Sequence, residues 1–361
     1  MKNNVREMSG WTYEKAGVDR EKETEAVSKI WKLISKTFKY RKGKLGQPLD
    51  VKGHYAGIID IGAEHHIALH VDNVGTKVLV AQRMEKYDTV GIDLVAMNAN
   101  DLISIGAEPI ALVDYIAIKE PSEELISEIM KGIVEGAKQS GMVVLGGESA
   151  TVPELIMGVS KNAFDLAGMS MGIVKQAEII TGEAIQAGDR IFGLVSNGIH
   201  SNGLTLARKL FFDVEGMQMN DPIEGNDTTV GEELLRPTKI YVPEVMDILE
   251  KCQEIHGIAH ITGGAYTKLH RLRRKDLEFE LCMPNPPAIF LTLQDIGKIS
   301  TREMYRTYNM GVGLVLVADK REEETIKTIC TRHGTKCYTL GRVKKGEGIT
   351  VKAWNGETIS F

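Results

Sequence analysis

Six consecutive residues, Asp72-Asn73-Val74-Gly75-Thr76-Lys77, end an alternating apolar run with a carboxylate, a glycine and a cation. A carboxylate in such a place suits Mg²⁺, which takes oxygen ligands and usually keeps substrate phosphates in its shell. A lysine meets phosphates as a point charge. A surface turn with an incidental lysine fits the same pattern. Further along, Asp93, Asn98, Asn100 and Asp101 interrupt a stretch that otherwise reads as core, with Leu94, Val95, Ala96, Met97, Leu102 and Ile103. Asp93 and Asn100 are seven apart and share a helix face. Burying such groups is costly without partners, so this stretch implies either a metal site or an internal hydrogen-bond network.

Three more segments carry candidate chemistry. Gly146-Gly147-Glu148 follows an apolar run, and paired glycines suit either a backbone that approaches a ligand or an ordinary turn. In Ser196-Asn197-Gly198-Ile199-His200-Ser201-Asn202-Gly203, Ser201 or Asn202 can cap a following helix, whose free N–H groups favour anions. His200 adds a proton donor or phosphate ligand; the plainer alternative is capping beside an exposed histidine. Ala259-His260-Ile261-Thr262-Gly263-Gly264 is a strand-like run ending in glycines. The other histidines have no HExxH or similar ligand spacing, and neither GxxxxGK[ST] nor GxGxxG occurs, which leaves the P-loop and Rossmann readings unsupported.

The elements that must position these groups follow from periodicity. Val27, Ile30, Trp31, Ile34 and Phe38 predict an amphipathic helix over 21–40, followed by a Gly- and Lys-rich loop over 41–53. Ile67, Leu69 and Val71 alternate as in a half-buried strand over 66–72. Helices are expected at 88–105 and around 125–137, and strands at 109–117, 142–145 and 165–174. The pattern restarts with a strand at 190–195, a helix from 204 to 212, strands at 312–317 and 336–340 and a charged helix at 320–332, which places a boundary near 175. Strands and helices alternate in both halves, so mixed α and β layers are expected.

The chain has 361 residues, enough for roughly two domains of about 150 residues each. A net charge of −5 lacks the basic footprint of a nucleic-acid binder. The four cysteines (Cys252, Cys282, Cys330, Cys337) form no CxxC pair and suit a reducing, cytoplasmic setting. No signal-peptide core or membrane-length apolar run is present.

In this order, the segments resemble the aminoimidazole ribonucleotide synthetase (phosphoribosylformylglycinamidine cyclo-ligase) family. The resemblance spans about residues 13 to 343. It is carried by residues 13–19, 72–77, 88–101, 106–109, 114–115, 146–148, 165–168, 196–203, 237–242, 259–264 and 308–313. It implies an α/β (α+β) subunit of two domains, an ATP-binding and dimerisation domain over 1–174 and an α/β domain over 175–361. It also implies a homodimer whose N-terminal domains pair in a β-barrel-like interface, with ATP and Mg²⁺ acting on a small phosphorylated substrate.

For the site, the resemblance implies Asp72, Asp101 and Glu148 as Mg²⁺ ligands. Asp72, Gly75, Thr76, Lys77, Asp93, Asn100, Asp101, Gly146, Gly147 and Glu148 are expected around ATP. Ser196, His200, Ser201, Asn202, Thr262, Gly263, Gly264 and Asn309 are expected around substrate, with Lys77, His200 and His260 in catalysis. Other members of the wider superfamily phosphorylate selenide, thiamine phosphate or carbamoylated partners. A selenide enzyme would carry an N-terminal reactive cysteine, whereas the first cysteine here is Cys252. A nucleotide sensor without catalysis would be expected to lose the carboxylates, and all three are retained.

Overall fold

The computed structural model describes residues 10–51, 53–225, 227–272 and 276–361. Alternation along residues 65–73 places that segment inside a six-stranded sheet. Its strands are β1 (Gln47–Pro48), β2 (Gly57–Asp60), β3 (His65–Asn73), β4 (Glu108–Ile118), β5 (Val143–Thr151) and β6 (Phe164–Lys175), in the order β1-β2-β3-β6-β4-β5. The helices of this half are α1 (Arg20–Ile34), α2 (Lys77–Met84), α3 (Val90–Ile103) and α4 (Glu123–Ser140). Only β4 and β5 run parallel, and α4 makes the crossover that a parallel pair requires.

The two faces of this sheet differ. His66 and Ala68 on β3, with Leu112 and Ile116 on β4, are buried on the face that α3 covers. The opposite face is apolar and open. Val71 pairs in register with Met169, and Met169 with Val113, while Tyr115 stands beside Ala167. Val71 is 69% exposed, and Tyr115, Met169 and the β5 residues Val143 and Leu145 are exposed as well.

The second sheet has seven strands: β7 (Arg190–Val195), β8 (Ile255–His260), β9 (Leu277–Cys282), β10 (Val312–Ala318), β11 (Cys337–Lys345), β12 (Gly348–Lys352) and β13 (Thr358–Ser360). They lie in the order β13-β12-β9-β11-β7-β10-β8, with β12 parallel to β9. Every residue of β10 is buried, which is why its sequence is a continuous apolar run. Around this sheet lie α5 (Leu204–Arg208), α6 (Val230–Leu235), α7 (Val242–Lys251), α8 (Ala288–Gly297), α9 (Thr301–Thr307) and α10 (Glu323–Arg332).

The expected strands and helices appear, with two instructive shifts. The strand foreseen at 142–145 runs on to Thr151. Register passes from Leu112↔Val144 to Val113↔Gly146, so Leu145 is an inserted bulge residue and the glycines lie inside the strand. The helix foreseen over 21–40 ends at Ile34 and tightens into a 3₁₀ turn over Ser35–Tyr40; Ile30 and Leu33 remain exposed.

Helix α3 holds the halves together. It packs on β3, β4 and β6 on one side and meets α7 and β8 on the other. Its contact with α4 depends on bare backbone: a Cβ on Gly91 would fall 2.2 Å from the Ile133 nitrogen, and one on Gly132 would fall 2.4 Å from the Asp88 carbonyl oxygen. We therefore expect Gly132→Ala to destabilise the fold by about 1–3 kcal/mol, the usual cost of overpacking, read as a lowered denaturant midpoint.

Candidate active site at the domain seam

Polar side chains on α3 find their partners across the seam. Asp93 Oδ1 accepts from Lys77 Nζ at 2.7 Å, from the Thr238 amide at 2.7 Å, from Thr238 Oγ1 at 2.6 Å and from Ser201 Oγ at 3.2 Å. Lys77 Nζ also donates to the Arg236 carbonyl. Burial pushes the Lys77 ammonium pKa down while Asp93 pulls it back. Lys77 is 0% exposed, and its ammonium is paired with Asp93 at the domain junction.

About two helical turns further on, Asn100 repeats the device. Its Oδ1 accepts from the Tyr241 amide at 2.9 Å, and its Nδ2 donates to the Lys239 carbonyl at 2.9 Å and towards His260 Nε2 at 3.3 Å. His260 Nδ1 then donates to Asp101 Oδ1 at 2.7 Å. This network fixes the tautomer, with the proton on Nδ1. Burial lowers the His260 pKa although Asp101 opposes it. Both ring nitrogens are engaged, and the Nδ1–H bond orients Asp101.

Asp101 is the hinge between this network and more open ground. Burial raises its pKa, but Lys268, the His260 hydrogen bond and His70 outweigh that and hold the carboxyl well below the usual range. His70 Nε2 lies 3.5 Å from Asp101 Oδ2 and 4.0 Å from Asp72 Oδ2, and its Nδ1 donates to the Tyr55 carbonyl at 2.7 Å. Asp72, Asp101, His70 and His260 thus come together. Glu148 does not join them within the chain. It pairs in register with Tyr115 on the open face, whereas Asp72 aligns through Gly168 with Asp114 and Gly147 on the covered face. Among the described residues, no three His, Cys, Asp or Glu side chains converge as a metal-binding group.

Asp114 lies in a block that carries the resemblance, but sequence reasoning gave it no site role. It is buried, and burial raises its pKa. A Cβ on Gly147 would lie 2.6 Å from Asp114 Oδ2, so the glycine makes room for this carboxylate. Gly75 takes φ +69° and turns the chain from β3 into α2, while Thr76 Oγ1 meets Thr205 Oγ1 at 3.1 Å. Gly146, at φ +134°, shapes the bulge.

In the 196–203 loop, Ser196 Oγ donates to Asn309 Oδ1 at 2.9 Å, and Asn309 Nδ2 donates to the carbonyls of Gly198 at 2.9 Å and Ile199 at 3.1 Å. These two residues, expected around substrate, brace the loop. His200 takes φ +68° and is buried; its Nε2 bonds Asn197 Oδ1 at 3.0 Å, and burial holds its pKa well below the ordinary value. Asn202 approaches the Thr262-Gly263-Gly264 turn, where a Cβ on Gly263 would meet Asn202 Oδ1 at 2.7 Å.

His70, and Thr238 of the 237–242 block, were likewise given no site role from the sequence. His70 is two residues before Asp72 on a strand, hence on the same face, and that period was available as a signal. Thr238 carried no local signal: its role depends on a contact with a residue 145 positions away.

Two mixed sheets joined along a seam of carboxylates, imidazoles and ammonium groups define a two-domain α/β protein whose candidate chemistry lies between its halves. The chain belongs to the AIR synthase related family. It matches "AIR synthase related protein, N-terminal domain" over residues 53–174 and "AIR synthase related protein, C-terminal domain" over residues 186–353.

It is 46% identical over 348 residues to the phosphoribosylformylglycinamidine cyclo-ligase of Pyrococcus furiosus, covering 96% of this chain and 99% of that one. The protein of the same name from Methanobrevibacter smithii is 42% identical over 355 residues, covering 97% and 99%. The fold is similar to thiamine-monophosphate kinase from Stenotrophomonas maltophilia, with a TM-score of 0.59 at 19% identity over 89% and 95% of the two chains. It is also similar to the hydrogenase maturation protein HypE in complex with ATP, with a TM-score of 0.59 at 16% identity over 81% and 84%.

Removing Asp93 would leave the Lys77 charge buried without its partner. Asp93→Ala is expected to cost about 3–5 kcal/mol, measured by chemical denaturation. A loss below about 1 kcal/mol would mean that the pair does not hold the seam.

Proposed function

We propose that the chain is an ATP-dependent ligase that cyclises formylglycinamidine ribonucleotide to 5-aminoimidazole ribonucleotide, with release of ADP and phosphate, in purine biosynthesis. The observation that carries this reading is the end-to-end identity with relatives bearing the cyclo-ligase name. The chemistry follows from the substrate. Its formamide oxygen is a poor leaving group. Transfer of the ATP γ-phosphoryl group to that oxygen releases ADP and creates a better one. The amidine nitrogen then attacks the same carbon, the C–O bond breaks, phosphate leaves, and the nitrogen loses its proton. Little is asked of the protein beyond alignment and stabilisation of charge on the phosphoryl oxygens.

Mg²⁺ usually sits on one or two carboxylates together with substrate phosphates. Asp72 and Asp101 suit that role, and so does Asp114, a buried carboxylate whose raised pKa a cation would relieve. When bound, the ion would neutralise phosphoryl charge. Gly75, Thr76, Gly146 and Gly147 would lie along the nucleotide, and Ser201, Asn202, His200 and the Thr262–Gly264 turn would hold substrate. Lys77, Asp93, Asn100 and His260 would act by fixing the positions of these groups.

In this reading the chain is a cytoplasmic homodimer. An exposed apolar face carrying Val71, Tyr115, Met169, Val143 and Leu145 is the type of surface that a second copy covers. Glu148 stands on that face, so its contribution belongs to the dimer side of the sheet.

Incubation with formylglycinamidine ribonucleotide, ATP and Mg²⁺ should release one ADP per aminoimidazole formed. Melting stabilisation by ATP without substrate-dependent ADP release would overturn the assignment. Asp72→Asn is expected to lower kcat by about 100-fold, in line with other losses of transition-state charge stabilisation. Val71→Asp should yield monomers in sedimentation analysis, and a persistent dimer would place the interface elsewhere.

A further inference from the structure

Two of the four cysteines are brought together by the turn that separates them. Cys330 sits in the last turn of α10, and Cys337 opens β11. The helix is capped by His333, and Gly334 takes φ +66°, which reverses the chain. The Thr335 amide closes the turn on the Cys330 carbonyl at 2.8 Å. Cys337 then enters the second sheet opposite Leu194 of β7. The two thiols share a hydrogen bond. Cys330 is 0% exposed, whereas Cys337 is only half-buried and open to a small molecule.

The contact is not symmetrical. The hydrogen bond from Cys330 lowers the Cys337 thiol pKa; Lys327 adds to that, while burial and Glu323 oppose it. The same bond raises the Cys330 pKa, and burial raises it further. The thiolate therefore forms on the more accessible sulfur, with a protonated thiol held against it. Cys252 differs: burial pushes its thiol up to about 12, with Glu322 adding to the effect. A thiolate is the form that oxidants attack, and a second thiol in contact converts the product to a disulfide. The short loop between the pair also reaches the seam. Thr335 Oγ1 donates to Glu244 Oε1 at 2.7 Å, Glu244 lies 3.4 Å from Lys239 Nζ, and the Lys239 carbonyl accepts from Asn100.

We infer that Cys330 and Cys337 form a reversible oxidation site, where hydrogen peroxide converts the dithiol to a disulfide tying the end of α10 to β11. The Cys337 thiolate attacks one peroxide oxygen, the O–O bond breaks, and hydroxide leaves to become water on taking up a proton. The Cys330 sulfur then attacks the sulfur of the resulting sulfenic acid. An S–S bond forms, the S–O bond breaks, and a second water leaves with the Cys330 proton. A dithiol reductant restores both thiols by exchange. In a reducing compartment the dithiol is the resting state, and a disulfide of this type is transient and redox-sensing. Oxidation draws together the ends of the loop that presents Thr335 to Glu244, so the modification acts on a segment tied to α3. The site uses none of the residues placed around ATP or substrate and stands independently of the ligase reading.

The test treats the folded, full-length protein with near-stoichiometric hydrogen peroxide, followed by alkylation and trypsin. Cleavage after Lys327, Arg332, Lys336 and Arg342 puts the two cysteines on separate peptides, 328–332 and 337–342. A disulfide joins these peptides at the cost of two hydrogens in mass, and dithiothreitol separates them again. The joined species should appear about tenfold faster than oxidation of exposed Cys282, because the thiolate is the nucleophile. In Cys330→Ala, Cys337 should instead be caught by dimedone as its sulfenic acid, a readout that needs no disulfide. Joined peptides forming no faster than Cys282 is oxidised would overturn the site. So would Cys337 carried to sulfinic acid while Cys330 remains free to alkylate.

Discussion

The structure depends on one buried oxygen. Asp93 Oδ1 accepts from an ammonium, a backbone amide and two hydroxyls, and those donors come from both halves of the chain. A buried carboxylate is tolerated only when it is paired and hydrogen-bonded. Asp93 meets that demand only if α2, the 196–203 loop and the segment around Thr238 all arrive together. Correct assembly of the seam is therefore the condition under which the charge can be buried at all. An apolar contact would hold the halves together too, but it is non-directional and would fix their relative position less sharply.

Directionality matters because the same helix carries the other polar groups of the seam. Asn100 and Asp101 follow Asp93 on α3, and the fixed His260 tautomer aims Asp101 towards His70 and Lys268. A one-residue displacement of α3 would break the Asp93 set and misplace Asp101 at once. Stability and alignment thus share one element. That coupling accounts for a helix as buried as a core helix yet studded with carboxylates and amides. Lys77 and Asp93 fix the frame, and Asp101 carries it on towards His70 and Lys268.

Much of the fold was legible because period and burial agree. Residues 65–73 alternate, β10 is apolar throughout, and α4 shows its stripe, so each could be read locally. The segments less easily read were those whose character is set by partners. α2 follows directly on the Asp72–Lys77 run, and its short apolar pattern does not distinguish helix from loop. β5 continues through two glycines because Leu145 is bulged out and Asp114 needs the space above Gly147. Among site residues, types were legible and roles were not. Polar groups on α3 announced either a metal site or a hydrogen-bond network, and contacts more than 100 residues apart in sequence supply the network.

The bulge in β5 links the two faces of the first sheet. With Leu145 inserted, Gly147 aligns with Asp114 on the covered face, and Glu148 aligns with Tyr115 on the open one. Without the insertion, every later β5 side chain would change faces, because strand side chains alternate with period two. Glu148 would then stand beside the carboxylates of the covered face, adding like charge near Asp114, and a glycine would leave a gap among the apolar side chains of the open face. The bulge keeps the acidic group on the open face and keeps bare backbone above Asp114. The inserted residue thus sets which face each later β5 side chain takes, and with it the place of both glycines and the glutamate on this exposed edge strand.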